Sequence, residues 1–414
     1  MEVKKERIWL INQYAMPPHL ESRLRTIKFA QYLTEKGYDV TIFASSVMHN
    51  MDMDLIEDNS KFIEKYYNNI HFVHIKTKKY SENGIARIMA SFQFALRLKK
   101  NAKKFSKPDI IIQTATVPFG NLLYFTAKKY RAKYIVEVLD LWPESFVELG
   151  VLKKRNPILP FLYFTEKWLY KRADELVFSM QGGVHYIKDR RWDIDNNGKI
   201  DLKKVHYINN GVDLTDFEFN AQNYKLEDKD LLDKTLKKVI YIGSIRLANN
   251  LKQLIDAAEI VMQEKNIRIF LYGDGDDRKY LEDYCLKENI TNVLFKEKWI
   301  EPKYVPYLLS QSDVNILNYM PGKFGTYGGS QSKMFQYMAS GKPICCNLRM
   351  MYCPINQFDI GIAKEFSDSK EYADAILNLL NRNEFEIEAM CLRAKEAAKM
   401  FDYRHLTDEL IKLF

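Results

Sequence analysis

One pattern constrains this chain more than any other: short apolar runs rich in β-branched residues alternate with amphipathic stretches, and the alternation is spelled twice. In the first half the runs are RIWLINQ (7–13), YDVTIFA (38–44), DIIIQTA (109–115), KYIVEVL (133–139) and DELVFSM (174–180), with helical stretches such as 22–36, 84–104 and 157–172 between them. The pattern restarts at KKVIYIG (237–243) and continues through IRIFLYG (267–273), NVLFKE (292–297), DVNILN (313–318) and KPICCN (342–347). Continuous apolar runs without polar alternation belong to strands covered on both faces, the condition of a parallel sheet crossed by helices. At 414 residues the chain exceeds one ordinary core, so two doubly wound, Rossmann-like α/β domains are expected.

The first domain is expected over 1–213 and the second over 237–400. The polar segment 214–236 lacks a clear strand and reads as the linker, and a helix over 401–414 is expected to pack back toward the first domain. In such sheets ligands bind beyond the carboxyl ends of the strands. The loops to search are therefore 13–22, 114–120, 140–145, 243–250, 272–277 and 321–333.

In GSIRLANN, Gly243 and Ser244 close a strand at a tight turn toward a helix whose free amides suit a phosphate. Arg246 adds a positive fork. Gly273 and Gly275 play the same part after the next strand. In GKFGTYGGSQSKMFQYMASGKPICC (322–346), Gly325, Gly328 and Gly329 would expose backbone amides. Ser330 or Ser332 would cap the following helix. Lys333 and Gln336, three apart, share a face of that helix and reach one ligand. Against these stands a plain helix–Gly–strand unit with solvated polar residues.

SKMFQYMASGKPI resembles the donor-binding segment of the family 4 glycosyltransferases with the GT-B fold, nearest to the branch that builds bacterial O-antigen and capsular polysaccharide. DLWPES (140–145), NNGVD (209–213), YIGSIR (241–246) and QYAMPP followed by SRLRTIKFAQYL fit the same branch in order. The resemblance implies two Rossmann-like domains facing a central cleft. It implies retaining transfer of a hexosyl or N-acetylhexosaminyl group from a nucleotide diphosphate sugar, a UDP-sugar before others, without cofactor or metal. Arg246 and Lys333 would hold the diphosphate, Gly328, Gly329 and Ser332 would face donor sugar or phosphate, and Gln336 would face the ribose. Asp140 would approach the transferring sugar. His19, Glu21, Arg23 and Glu144 are the acceptor-side candidates, for a lipid-linked saccharide.

The sequence departs from the family at three points. Gly328 and Gln336 stand where many members have glutamates, Glu21-Ser22 replaces a glycine-rich turn, and Asn249 replaces a lysine. Two rivals follow: a GT-B-fold sugar-nucleotide epimerase, and a non-catalytic nucleotide-sugar-binding subunit.

From the residues alone, Asp140 lies just beyond a strand, where active-site carboxylates sit, or else caps the next turn. Glu144 is an acceptor contact or a surface residue. The histidines form no cluster. DIDNNGKIDLKK (193–204) imitates a calcium loop, but Lys204 takes the place of the bidentate carboxylate, so a tight turn is expected.

The charge is asymmetric. Residues 1–205 carry a net +12 and 206–414 a net −4, so the first half is expected to meet an anionic partner. Residues 76–107 hold ten Lys/Arg against Glu82 alone, and 153–172 repeats the basic and aromatic character. The first reads as a membrane-surface element or as a solvated surface helix of the Rossmann unit, and the second tips the reading toward membrane contact. Neither resembles a nucleic-acid-reading module. Five cysteines without a C-x-x-C fit a reducing compartment. The expected location is cytoplasmic, peripheral on the inner face of the membrane.

Overall fold

A computed structural model describes residues 5–20, 23–48, 51–80, 85–148, 150–320 and 325–414. The chain divides into two compact units: residues up to Asn209 together with Tyr403–Phe414, and Asn210–Asp402.

The first unit is built on an eight-stranded sheet. Its strands are β1 (Arg7–Ile11), β2 (Asp39–Ser45), β3 (Phe62–Tyr67), β4 (Ile70–Ile75), β5 (Ile110–Thr114), β6 (Lys133–Val138), β7 (Glu175–Phe178) and β8 (Val205–Tyr207), in the order β3-β4-β2-β1-β5-β6-β7-β8. All pairs are parallel except β3 with β4. The strand β3, FIEKYY, has no fully buried residue. An exposed edge strand of this kind carries no continuous apolar run, and the sequence reading passed over it. The helices are α1 (Arg25–Glu35), α2 (Ile85–Asn101), α3 (Tyr124–Tyr130), α4 (Glu144–Glu148), α5 (Leu159–Arg172) and α6 (Gly183–Asp189). Because β2 lies on one side of β1 and β5 on the other, the topological switch falls beside β1, where a doubly wound sheet opens a crevice.

The second unit has a six-stranded parallel sheet in the order β11-β10-β9-β12-β13-β14. The strands are β9 (Lys237–Ile242), β10 (Ile267–Tyr272), β11 (Val293–Phe295), β12 (Val314–Leu317), β13 (Ile344–Cys346) and β14 (Gly361–Ala363). Its switch lies between β9 and β12. The segment expected as a linker instead folds into α7 (Leu214–Asn223) and α8 (Lys229–Leu232). Asp213 caps α7 by accepting from the Asp216 amide at 3.0 Å, and Asp228 caps α8. Phe217 and Leu231 are buried in the second unit's cores. Two aspartate caps and one apolar anchor per helix outweigh a polar composition.

Further along are α9 (Leu251–Val261), α10 (Arg278–Lys287), α11 (Val305–Ser310), α12 (Ser332–Ser340), α13 (Pro354–Gln357), α14 (Ser369–Leu380) and α15 (Glu384–Lys399). The last helix, α16 (Tyr403–Ile411), buries Tyr403, Leu406 and Leu410 with Phe29 and Leu33 of α1, and so belongs to the first unit's core.

In the calcium-like stretch, Asp193 is fully buried and accepts from the Asn196 amide group at 3.0 Å on each oxygen. The Gly198 amide closes on the Asp193 carbonyl at 2.7 Å. The carboxylate is thus spent inside a tight turn. Among the described residues, no helix is long and apolar enough to cross a membrane.

Candidate active site

The second unit places most of the predicted donor residues around the carboxyl ends of β9 and β10. Gly243 has φ +143°, and a Cβ there would lie 2.3 Å from the Lys333 ammonium nitrogen. Residue 243 is therefore glycine because the lysine fills its side-chain volume. Gly273, with φ +129°, abuts the Gly243 carbonyl, and Gly275 abuts that of Ile245. These approaches let the Gly243 amide reach the Tyr272 carbonyl at 3.0 Å and the Ile245 amide reach Asp274 at 2.9 Å.

Lys333 sits in the first turn of α12. Its ammonium donates to the Tyr241 hydroxyl at 3.2 Å and lies 4.6 Å over that ring, while the hydroxyl donates to the Ser244 carbonyl at 2.7 Å. Burial lowers its pKa to about 8. Among the described residues no carboxylate pairs with it. This cation, without a described carboxylate beside it, stands at a helix start where Gln331 supplies no side-chain cap, an arrangement whose electrostatics favour an anion. Gln336, one turn on, is half-buried, as is Ser332. Arg246 is exposed at the mouth of the 243–250 loop and makes no ion pair among the described residues. Ser244 is also exposed, its hydroxyl bonded to Asn249 at 3.1 Å.

The loop ahead of α12 is fixed from two sides. The Gly325 carbonyl accepts from the Gly328 amide at 3.2 Å and from Met351 at 2.9 Å, and the Asn210 side chain donates to the Ser330 carbonyl at 2.5 Å. Gly328 has φ +94°, and Gly329 is buried against Met350.

A second set of residues, missed in the sequence, braces the 246–250 loop. Asn318 donates to the Asn249 and Asn250 carbonyls at 2.9 and 2.7 Å and accepts from the Tyr372 hydroxyl at 2.8 Å. Nothing local in the sequence marks Asn318, because its partners lie more than fifty residues away.

In the first unit Asp140 stands at the carboxyl end of β6. Its carboxyl reaches solvent, yet the protein around it raises its pKa, and neighbouring Arg23 and Arg87 pull it back down. Arg23 donates to the Tyr14 carbonyl at 2.9 Å. Arg87 donates to the Tyr14 hydroxyl at 3.2 Å and lies 5.0 Å over that ring and 6.0 Å over Trp142. Burial, first of several causes, raises the Tyr80 pKa to about 12 in the same cluster. Tyr14, Tyr80 and Arg87 were not singled out from sequence, since Arg87 merged into a basic run.

Two acceptor-side candidates have neighbours within the first unit. Glu144 binds the Arg190 guanidinium and the Tyr163 hydroxyl, which ties the start of α4 to α5 and to the residue after α6. His19 is exposed but lies 6.0 Å from the Tyr67 ring, toward the β3–β4 edge of the sheet. Glu21 lies outside the described residues.

The first unit also exposes apolar side chains among its cations. In α2 these are Ile88, Met89 and Phe92, in α3 Phe125, and in α5 Phe161 and Phe164. Lys99 lies 4.8 Å over Phe125, which meets Trp168, and Arg172 covers Trp168 at 3.8 Å. The patch thus runs from α2 through α3 to α5.

Comparison with known proteins bears on both units. The sequence matches the family described as Glycosyltransferase Family 4 over residues 25–216 and that described as Glycosyl transferases group 1 over 223–400. The "Probable glycosyltransferase WbjE" of Pseudomonas aeruginosa is 25% identical over 273 residues, and the match spans 63% of this chain and 62% of that relative's length. The structure of Anabaena Alr3699/HepE in complex with UDP and glucose is 14% identical, with 98% of each chain covered and a TM-score of 0.64. WaaG, a glycosyltransferase involved in lipopolysaccharide biosynthesis, is 12% identical at the same coverage and TM-score. At these identities the two solved structures speak for the fold.

Proposed function

We propose, from the premise that this chain belongs to the family 4 glycosyltransferases with the GT-B fold, that it moves a sugar from a nucleotide diphosphate sugar to a hydroxyl of a lipid-linked saccharide in surface polysaccharide assembly. The observation that carries the donor side is the Lys333 ammonium, desolvated, unpaired by any described carboxylate and seated at the open start of α12. UDP is the first nucleotide to try, because the similarly folded HepE is solved with it.

In this reading the bond between the sugar's anomeric carbon and the diphosphate oxygen breaks as the acceptor oxygen bonds to that carbon. The departing oxygen gains negative charge and takes the acceptor proton. Lys333, Arg246 and the first amides of α12 neutralise that charge in a site partly shielded from water, which is where such stabilisation is strongest. Three cationic or dipolar groups do the work a divalent ion would do, so no metal is required. Transfer proceeds with retention, and no side chain serves as a nucleophile. Asp140 is assigned to the transferring sugar by resemblance. The transferred group is hexosyl or N-acetylhexosaminyl.

The acceptor's lipid is matched by the apolar and basic patch of α2, α3 and α5, which would rest on an anionic membrane surface with its phenylalanines in the interface. The protein would then work on the cytoplasmic face.

A thermal-shift screen against UDP, GDP, dTDP, CMP and ADP without added metal tests the donor assignment. A nucleotide at a hundred times its dissociation constant stabilises by about 2.7 kcal/mol, roughly a few degrees. One nucleotide should stand out, in EDTA as in buffer, and Asp140→Asn should keep that shift while losing sugar transfer. No shift with any nucleotide would overturn the donor assignment.

A further inference from the structure

Arg246 stands on the short turn between β9 and α9, so its aim depends on what holds that turn. We infer that Asn318 and Tyr372 are positioning residues for Arg246: together they fix the 246–250 loop in the form that presents its guanidinium to the donor's diphosphate. The inference rests on the proposed donor reading and deepens it by naming the side chains on which that cation depends.

The loop is closed first by its own backbone. The Asn249 amide donates to the Arg246 carbonyl at 2.8 Å, and the Asn250 amide to the Leu247 carbonyl at 3.0 Å. Residues just beyond β12 then hold three consecutive carbonyls. The Met320 amide donates to Ala248 at 2.9 Å, and the Asn318 side-chain nitrogen donates to Asn249 at 2.9 Å and to Asn250 at 2.7 Å. The Asn318 side-chain oxygen accepts from the Tyr372 hydroxyl at 2.8 Å. An amide nitrogen carries two hydrogens, so both are used and the oxygen is anchored as well. Turning the amide over would set its oxygen against two carbonyls. Asn250 has φ +45° and starts α9 without a side-chain cap. A residue in that conformation persists where its surroundings hold it, and the bond from Asn318 does so.

Stability alone does not call for this pair. Asn318 and Tyr372 are both buried, and replacing two hydrogen-bonded partners by apolar groups of similar shape is often nearly neutral. An apolar pair would lack the two bonds to the loop. Arg246 is exposed and makes no ion pair among the described residues, so its placement follows that of its backbone. A cation whose backbone is set before the ligand arrives loses less entropy on binding, and the planar fork of arginine rewards a fixed direction.

The test is a double-mutant cycle on the full chain, read by titration of UDP and of uridine. Tyr372→Phe removes only the hydroxyl. Asn318→Leu with Tyr372→Phe makes the pair apolar and leaves no buried polar group of the pair unmatched. In the parent background the double substitution should cut the advantage of UDP over uridine about fivefold, and Tyr372→Phe should cut it less, with uridine affinity unchanged. In an Arg246→Ala background the same changes should cost less than about twofold, because the residue they position is gone. Hydrogen exchange at the Asn249 and Asn250 amides should quicken in both variants. An undiminished UDP advantage, an equal loss with and without Arg246, or uridine affinity falling in step with UDP overturns the inference. A parent chain that binds UDP no better than uridine strikes the donor reading instead. Amide exchange at 249 and 250 then decides the brace, and unchanged rates overturn it.

Discussion

Lys333 and Gly243 occupy one another's space: the ammonium nitrogen of the first lies 2.3 Å from where a side chain on the second would begin. The contact joins the end of β9 to the start of α12, two elements ninety residues apart in sequence. The lysine cannot withdraw from that contact without giving up its bond to Tyr241.

Gly243→Ala therefore has a specific expected outcome. The new methyl group displaces the ammonium, and φ +143° strains any residue with a Cβ, at a cost of roughly 1–3 kcal/mol. UDP affinity should fall at least about tenfold, with the stability loss visible in urea unfolding. A variant that binds UDP as well as the parent would show that the lysine does not need its present position.

The pH dependence of UDP binding follows from the same lysine. Its pKa is lowered by burial to about 8, and the ammonium form is the one that attracts diphosphate. Below pH 8 the site is charged and affinity is flat. Above it, binding must first recharge the lysine, so affinity declines toward about tenfold per pH unit. Lys333→Met should bind more weakly at neutral pH and lose this decline. Isothermal titration between pH 7 and 9.5 checks both statements.

Glu166 makes the first unit less stable as pH rises from acid through neutral. Burial raises its pKa to about 8, against opposing hydrogen bonds from Tyr170 and Tyr186, and its second oxygen has no partner. The folded chain keeps the carboxyl protonated while the unfolded chain releases that proton near the ordinary value of 4.5. Stability is therefore full below about pH 4.5 and is lost as pH rises to about 8, by about 1.4 kcal/mol for each unit in between. Glu166→Gln should be more stable than the parent at pH 8 and close to it at pH 4.5, by urea midpoints.

Membrane contact has its own readout. The protein should float with vesicles containing phosphatidylglycerol and stay behind with phosphatidylcholine alone, and high salt should weaken the association. Phe161→Ser with Phe164→Ser removes two exposed phenylalanines from α5 and should reduce partitioning by about tenfold or more, leaving UDP affinity unchanged.

The sheets were legible because buried parallel strands leave unbroken apolar runs. The edge strand β3, solvated along most of its length, left no such run. The glycines at 243, 273 and 275 were legible as turn residues, but not the reason for the first, which is a lysine arriving from a distant helix. Segment 214–236 reads as polar when averaged, and its helices depend on single caps, Asp213 and Asp228, that averaging conceals. The contacts of Glu144 and Arg87 were hidden for a related reason. A motif marks where a residue stands in the chain, whereas the partner it meets depends on the fold: Arg190 for Glu144, and Tyr14 for Arg87.

The central claim is that Lys333 and Arg246 hold the diphosphate of the donor. Isothermal titration of UDP and of uridine into the full chain, into Lys333→Met and into Arg246→Ala tests it most directly. UDP should bind the parent about a hundredfold or more tighter than uridine, and each substitution should remove at least about tenfold of that advantage while leaving uridine affinity in place. Equal affinity of UDP for all three proteins would contradict the claim.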